Sequence, residues 1–151
     1  MIHSLSITRV ADTNAYAAND VISGSADPGE ELKVPRFFSG RSSTLKIKKV
    51  QIFRDKKETN DPRFKLVLLN GTYTSEDNTA LSLSDAENKS VVAVIDPIST
   101  FTGGDSIIHF TENMDIDIDS NNSDDLGVIL VAQTDFTPVS AETFKIKIFS
   151  E

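Results

Sequence analysis

The 151-residue chain contains no cysteine and no tryptophan, two histidines, two tyrosines and seven glycines. Lacking cysteine, it has no disulfides and no thiolate metal sites, which fits a reducing compartment. Its only histidines are His3 and His109, so a three-histidine zinc centre is excluded and a nucleophile-base-orienter set has little to build on. No apolar run approaches the roughly 18 residues of a membrane-spanning helix. No G-x-x-x-x-G-K-[ST] or G-x-G-x-x-G loop offers a nucleotide cradle. The first ten residues show no basic start followed by an apolar block, so no secretory signal is read and synthesis in a cytoplasm is expected. Basic residues are in the minority, 15 against 23 acidic for a net charge of -8. A field of that sign repels nucleic acid and anionic lipid, so neither is an expected partner.

What is present is alternation. Hydrophobic residues make up 38% of the chain and charged residues 25%, the balance of a folded domain rather than a disordered tail. The length predicts one domain over 1–151, with 1–19 as a candidate N-terminal arm that leaves His3 in a mobile terminus. Leu5 and Ile7 alternate with Ser6 and Thr8; Met114, Ile116 and Ile118 with Asp115, Asp117 and Asp119; Phe144, Ile146 and Ile148 with Lys145 and Lys147. Side chains of a strand face opposite ways in turn, so each of these reads as a half-buried strand. Leu45 and Ile47 alternate with Lys46 and Lys48, and the pattern then resumes in the opposite parity at Val50 and Ile52. One extra residue in the ladder produces that switch, which predicts a β-bulge near Lys48 and Lys49.

Three runs are apolar on both parities: Phe64 to Leu69 apart from Lys65, Val91 to Ile95, and Val128 to Ala132. An antiparallel strand normally shows one face to water, so something covers the second face, either the chain's own loops or another subunit. Turn signals separate the strands. Asp27-Pro28-Gly29 predicts a type II turn with positive φ at Gly29, and Asn70-Gly71 and Gly103-Gly104-Asp105 suit tight turns. Ser84-x-x-Glu87 has capping-box spacing for a helix of one or two turns. Eight to ten short strands, one such turn and no repeat predict an all-β fold, an antiparallel, jelly-roll-like β-sandwich.

Candidate chemistry is sparse. The run Asp115, Asp117, Asp119, Asn121, Asn122, Asp124 and Asp125 resembles the start of a calcium loop, yet Gly is missing at the sixth position and a carboxylate at the twelfth, Leu126 or Val128. The first three aspartates read instead as the wet face of a strand, pairing across strands with lysines such as Lys145 and Lys147. Alternation places His109 opposite Ile108 and Phe110. Adjacent carboxylates, Glu30/Glu31 and Glu76/Asp77, face opposite ways in a strand and imply no glycosidase spacing. Lys46, Lys48, Lys49, Arg54, Lys56 and Lys57 form a local basic cluster, either a solvated strand end or a patch that docks on an acidic surface. Asn70, Asn88 and Asn121 open glycosylation triplets that no secretory signal supports. No catalytic residue, cofactor or metal ligand is assigned.

Several segments, in order along nearly the whole chain, resemble a family of small virion proteins of tailed bacteriophages, the capsid decoration proteins. They are Tyr16-Ala-Ala-Asn19-Asp20-Val21-Ile22, the Leu45 to Phe53 strand, Phe64-Lys-Leu-Val-Leu-Leu69, Asp77-Asn78-Thr79-Ala80-Leu81, Ser84-Asp85-Ala86-Glu87, Leu126-Gly127-Val128-Ile129-Leu130-Val131, and Phe144 to Phe149. The chain departs from the family pattern in having Phe37-Phe38-Ser39-Gly40-Arg41 in place of a glycine-rich stretch, and in a short segment between Ile95 and Leu126. The resemblance implies a non-enzymatic jelly-roll subunit on the outside of a phage head, with the major capsid protein as partner and a homo-oligomeric state, a trimer by preference. Docking is expected on loops at one end of the sandwich and on the arm Met1 to Asn19. A tail-fibre or glycan-binding module is the rival reading, weakened because such sites lean on exposed aromatics and this chain has no Trp and only Tyr16 and Tyr73 as tyrosines.

Overall fold

The computed structural model describes residues 1–26, 28–38, 44–55, 62–120 and 123–151. In chain order these residues form strands β1 (Ile2–Thr8), β2 (Val21–Ile22), β3 (Glu30–Glu31), β4 (Lys33–Val34), β5 (Thr44–Arg54), β6 (Phe64–Asn70) and β7 (Thr74–Ser75). There follow helix α1 (Asp85–Ser90) and strands β8 (Val91–Ile95), β9 (Ser99–Gly103), β10 (Ser106–Thr111), β11 (Ile116–Asp119), β12 (Leu126–Ala132) and β13 (Thr143–Ser150). Six strands make the larger sheet, in the order β1-β13-β5-β10-β9 with β11 also on β5. Five make the smaller, β2-β12-β6-β8 with β4 also on β12, and β3 pairs β7 apart from both. Counting the eight principal strands in chain order gives 1-8-3-6 facing 2-7-4-5, two Greek keys wrapped over one core. The fold is therefore an antiparallel jelly-roll sandwich, as the alternation predicted.

The core lies between the sheets. Ile47, Ile52, Ile146 and Ile148 of the larger sheet meet Leu66, Leu68, Val128 and Leu130 of the smaller in one buried cluster. Each such side chain contributes about 1.5–3 kcal/mol by leaving water. The expected bulge is present: Phe149 pairs with Lys49 and Ser150 with Ile47, leaving Lys48 as the extra residue. Buried positions shift accordingly from Leu45 and Ile47 to Val50, Ile52 and Arg54.

The runs apolar on both parities separate into two cases. In β6 and β12, Phe64, Leu66, Leu68, Val128 and Leu130 face the main core. Val67, Leu69, Ile129 and Val131 face away into a second cluster, roofed by Tyr73, Leu81, Leu83 and Val91 of the same chain. The cover is thus the chain's own connection from β6 to β8. That connection carries α1, whose Ser84 and Glu87 form both bonds of the capping box. In β8 the run is an edge strand instead, with Val94 58% exposed.

Two expectations are corrected at turns and terminus. Gly104 takes φ 70 and Gly71 φ 107, as tight turns require, but Gly29 does not adopt positive φ. A Cβ at Gly29 would lie 2.7 Å from the Ser75 carbonyl oxygen, so close approach of β3 to β7 is what demands glycine there; Asp27 of the same turn lies outside the described residues. His3 is not in a mobile terminus. β1 pairs with β13 along its whole length. The His3 ring lies 4.3 Å from that of Phe37, and its Nε2 is 3.1 Å from Ser150 Oγ.

Candidate docking surface

The chemistry-bearing residues singled out in the sequence are dispersed by the fold. Asp115 and Asp117 stand on or beside β11, which pairs with β5 rather than β13. Their partners are therefore Lys46, 3.1 Å from Asp115 and 3.4 Å from Asp117, and Lys48, 3.0 Å from Asp115, in place of the expected Lys145 and Lys147. Hydrogen bonds from Lys48 and Lys46 hold the Asp115 carboxyl below its usual range. Asp119 accepts from Thr44 Oγ1, and Asp125 from Lys33 and the Arg36 amide. Among the described residues no group of three or more His, Asp or Glu is placed to hold a metal ion. Asn121, Asn122, Lys56 and Lys57 lie outside the described residues. Glu30 accepts from the Gly24 amide while Glu31 is exposed. Glu76 is exposed but Asp77 is buried, so neither carboxylate pair converges.

Asp77 belongs to a polar cluster that sequence reasoning did not find. Arg9 Nε donates to Tyr16 Oη at 2.9 Å, and Tyr16 Oη donates to Asp77 Oδ1 at 2.6 Å. The Ser23 amide donates to the same oxygen at 2.9 Å, and Asp12 pairs with Arg9 at 2.7 Å. Burial raises the Asp77 and Tyr16 pKa values. The cluster ties the segment before β2 to the segment after β7, two stretches that carry the family resemblance and also join through the Asp20–Ala80 bridge. A second cluster corrects the basic patch: Arg54 is fully buried, with Nε 3.0 Å from Glu142 Oε1. Its guanidinium stacks 5.0 Å from the Phe64 ring centroid, and Nη1 lies 3.5 Å from Nε2 of buried His109. Burial pushes the Glu142 carboxyl up while Arg54 opposes the shift. Parity was the available signal, since Arg9 continues the inward series Leu5, Ile7 and Arg54 the series Val50, Ile52.

Both clusters are internal struts, and the accessible feature lies elsewhere, on the outer face of the larger sheet. Register places Lys145, Phe53, Ile108 and Phe101 side by side across β13, β5, β10 and β9. The next row is Lys147, Gln51, Phe110 and Ser99, and beyond it Phe149 opposes Lys49. Four of the nine Phe residues therefore point outward on a face that an antiparallel sandwich usually fills with polar groups. The Lys49 ammonium sits 5.5 Å from the Phe149 ring centroid and 6.0 Å from that of Phe110, attracted by their π faces. Gln51, Phe53, Ile108, Lys145 and Lys147 line a shallow cavity of about 240 Å³. Apolar floor and cationic rim, without a lining carboxylate, suit a partner that offers apolar and acidic side chains. The expected docking arm is placed differently: Ile2–Thr8 is held in the sheet, and Arg9 and Tyr16 are buried.

No family model matches the sequence, and no curated protein matches it. Solved structures that align with it include a mutant VP2 protein of infectious bursal disease virus in derived T=1 particles, with 9% identity and a TM-score of 0.32 over 97% of this chain. The Gt strain of the same virus gives 10% identity and a TM-score of 0.31 over 99% of this chain. This chain spans only about a third of those proteins, 31% and 32%. At such scores the likeness carries no argument, and the jelly-roll assignment rests on the strand order itself.

Proposed function

We propose that this chain is a non-enzymatic virion structural protein, a capsid decoration protein of a tailed bacteriophage. It binds the major capsid protein on the outer head surface as a homo-oligomer and works without a cofactor. The observation that carries the reading is the outward row of Phe53, Ile108 and Phe101 with Lys145 at its end, on the face of a sandwich whose polar clusters serve its interior. The jelly-roll strand order and the segments resembling the decoration family support it; fold alone does not, since this architecture also serves lectins and cupins. Burying the apolar row against the shell stabilises the closed capsid, as any ligand stabilises the state it binds. The protein is made in the bacterial cytoplasm and ends on the virion.

The test is co-sedimentation of the purified chain with empty mature heads, and separately with tails, of the virus that encodes it. Saturable binding to heads is expected, at a stoichiometry fixed by capsid symmetry. The Phe53→Ser variant should bind at least about tenfold more weakly, the effect of losing a buried aromatic anchor. Binding to tails or cell surfaces alone would replace this reading with the fibre or glycan module.

A further inference from the structure

β1 and β9, the strands that end the β1-β13-β5-β10-β9 path of the larger sheet, differ. β1 alternates exposed Ser4, Ser6 and Thr8 with inward residues, and its central residue, Leu5, packs against the core. All five residues of β9, Ser99-Thr100-Phe101-Thr102-Gly103, are exposed, and its central residue, Phe101, is 64% exposed. The strand carries no charge, proline or bulge, the devices by which proteins guard an edge against pairing. Val94 and Ile98, 58% and 69% exposed, precede it on β8 and the β8–β9 link, along the same flank of the sandwich.

We infer that β9 pairs with the β9 of a second copy across a two-fold axis centred on Phe101, extending the larger sheet through both subunits. The sequence is self-complementary in that register. Phe101 meets Phe101, Thr100 meets Thr102, and Ser99 meets Gly103, so no like charges are opposed and the threonine pairs favour the ladder. Backbone phase agrees independently. The two-residue loop Gly104-Asp105 makes Gly103 and Ser106 a hydrogen-bonded pair, and bonding alternates from there along the β9–β10 ladder. Ser99, Phe101 and Gly103 thus spend their backbone groups on β10, while the N–H and C=O of Thr100 and Thr102 face outward. No described residue bonds them. A two-fold at Phe101 brings those groups onto Thr102 and Thr100 of the second copy, closing four hydrogen bonds. The outward row then runs unbroken from Lys145 through Phe53, Ile108 and Phe101 into the same residues of the mate. This pairing does not rest on the capsid reading and stands or falls separately from it.

The cysteine-free chain makes the test direct. In the paired state the two Phe101 Cα atoms are about 4.5 Å apart, within disulfide reach, whereas the two Ser99 Cα atoms are about 14 Å apart, beyond it. Under mild oxidation Phe101→Cys should give at least about tenfold more covalent dimer than Ser99→Cys, since pairing raises the effective thiol concentration only at the axis. Thr102→Pro removes a donor that the subunit itself does not use. Its sedimenting mass should fall to half that of the unmodified chain while its far-ultraviolet circular dichroism spectrum stays unchanged, as expected of a folded single copy. Equal cross-linking of the two cysteine variants, an unmodified chain that sediments as a single copy, or a Thr102→Pro variant of undiminished mass would overturn the inference.

Discussion

The central strands of the smaller sheet, β6 and β12, are sealed on both faces, and those of the larger sheet on one. Behind β6 and β12 the chain's own residues 73–91 close a second apolar cluster, whereas the back of β5, β10 and β13 shows Phe53, Ile108, Phe110 and Phe149 among lysines. Both sheets carry apolar side chains on two faces, so apolarity alone does not separate the strand that holds the fold from the strand that meets a partner. The difference lies in what the neighbouring segments do. A long connection folds back over one sheet and none of the described segments roofs the other. Stability should therefore concentrate in the smaller sheet and the shared core, and binding in the back of the larger.

The sharpest way to break this contrast is to truncate one phenylalanine on each side. Phe64→Ala empties a site ringed by Phe136, Phe144 and His109 and is expected to cost about 3–5 kcal/mol. Phe53→Ala on the outer face should cost under about 1 kcal/mol in denaturant titration. Equal losses would mean that the outer face is already covered within the subunit. Next in size is the Arg54–Glu142 pair. Arg54→Met strands a buried carboxylate and should destabilise by roughly 3 kcal/mol, and adding Glu142→Leu should recover most of that; a double variant as unstable as the single would show the pair to be worth more than its desolvation cost.

A smaller effect follows from pH. Burial holds Glu142 above its ordinary value of 4.5, so its contribution to stability is whole below that pH and is lost as pH rises through the raised folded value. The melting temperature of the unmodified chain minus that of Glu142→Gln should accordingly fall between pH 4.5 and neutrality, and a rise over that window would refute the assignment. Smallest in stability is Lys145→Glu with Lys147→Glu. These rim changes should leave the melting temperature unmoved yet weaken head binding, and unchanged binding would shift docking off this face.

Much of the fold was legible because side-chain parity is a local property. The alternating runs became strands, and the parity switch at Lys48 located the bulge. Ser84 and Glu87 located the helix start. What parity cannot give is the partner of each strand. Lys46 and Lys48 resemble Lys145 and Lys147 in pattern, and only the topology decides that Asp115 and Asp117 meet the former. Arg9 and Arg54 were missed for a different reason: charge was weighed above parity, although both sit on inward positions where a carboxylate from a distant segment receives them. The outward apolar face proposed for docking was hidden in the same way. Phe53 and Ile108 lie far apart in sequence and become a surface only when β5 and β10 pair.

The position of β13 bears on how the molecule is made. β13, the last strand of the sandwich in chain order, lies between β1, the first, and β5, so the larger sheet has a gap until residue 150 is available. Until then Ile7, Ile47 and Ile52 lack the neighbours Ile146 and Ile148 that complete their packing. Nearly every contact that closes the sheet spans most of the sequence, a topology that folds slowly and exposes unpaired strands while it does so. The sandwich therefore cannot close before β13 has been made, and a chain cut short of β13 should be cleared or aggregate rather than persist as a partly formed subunit.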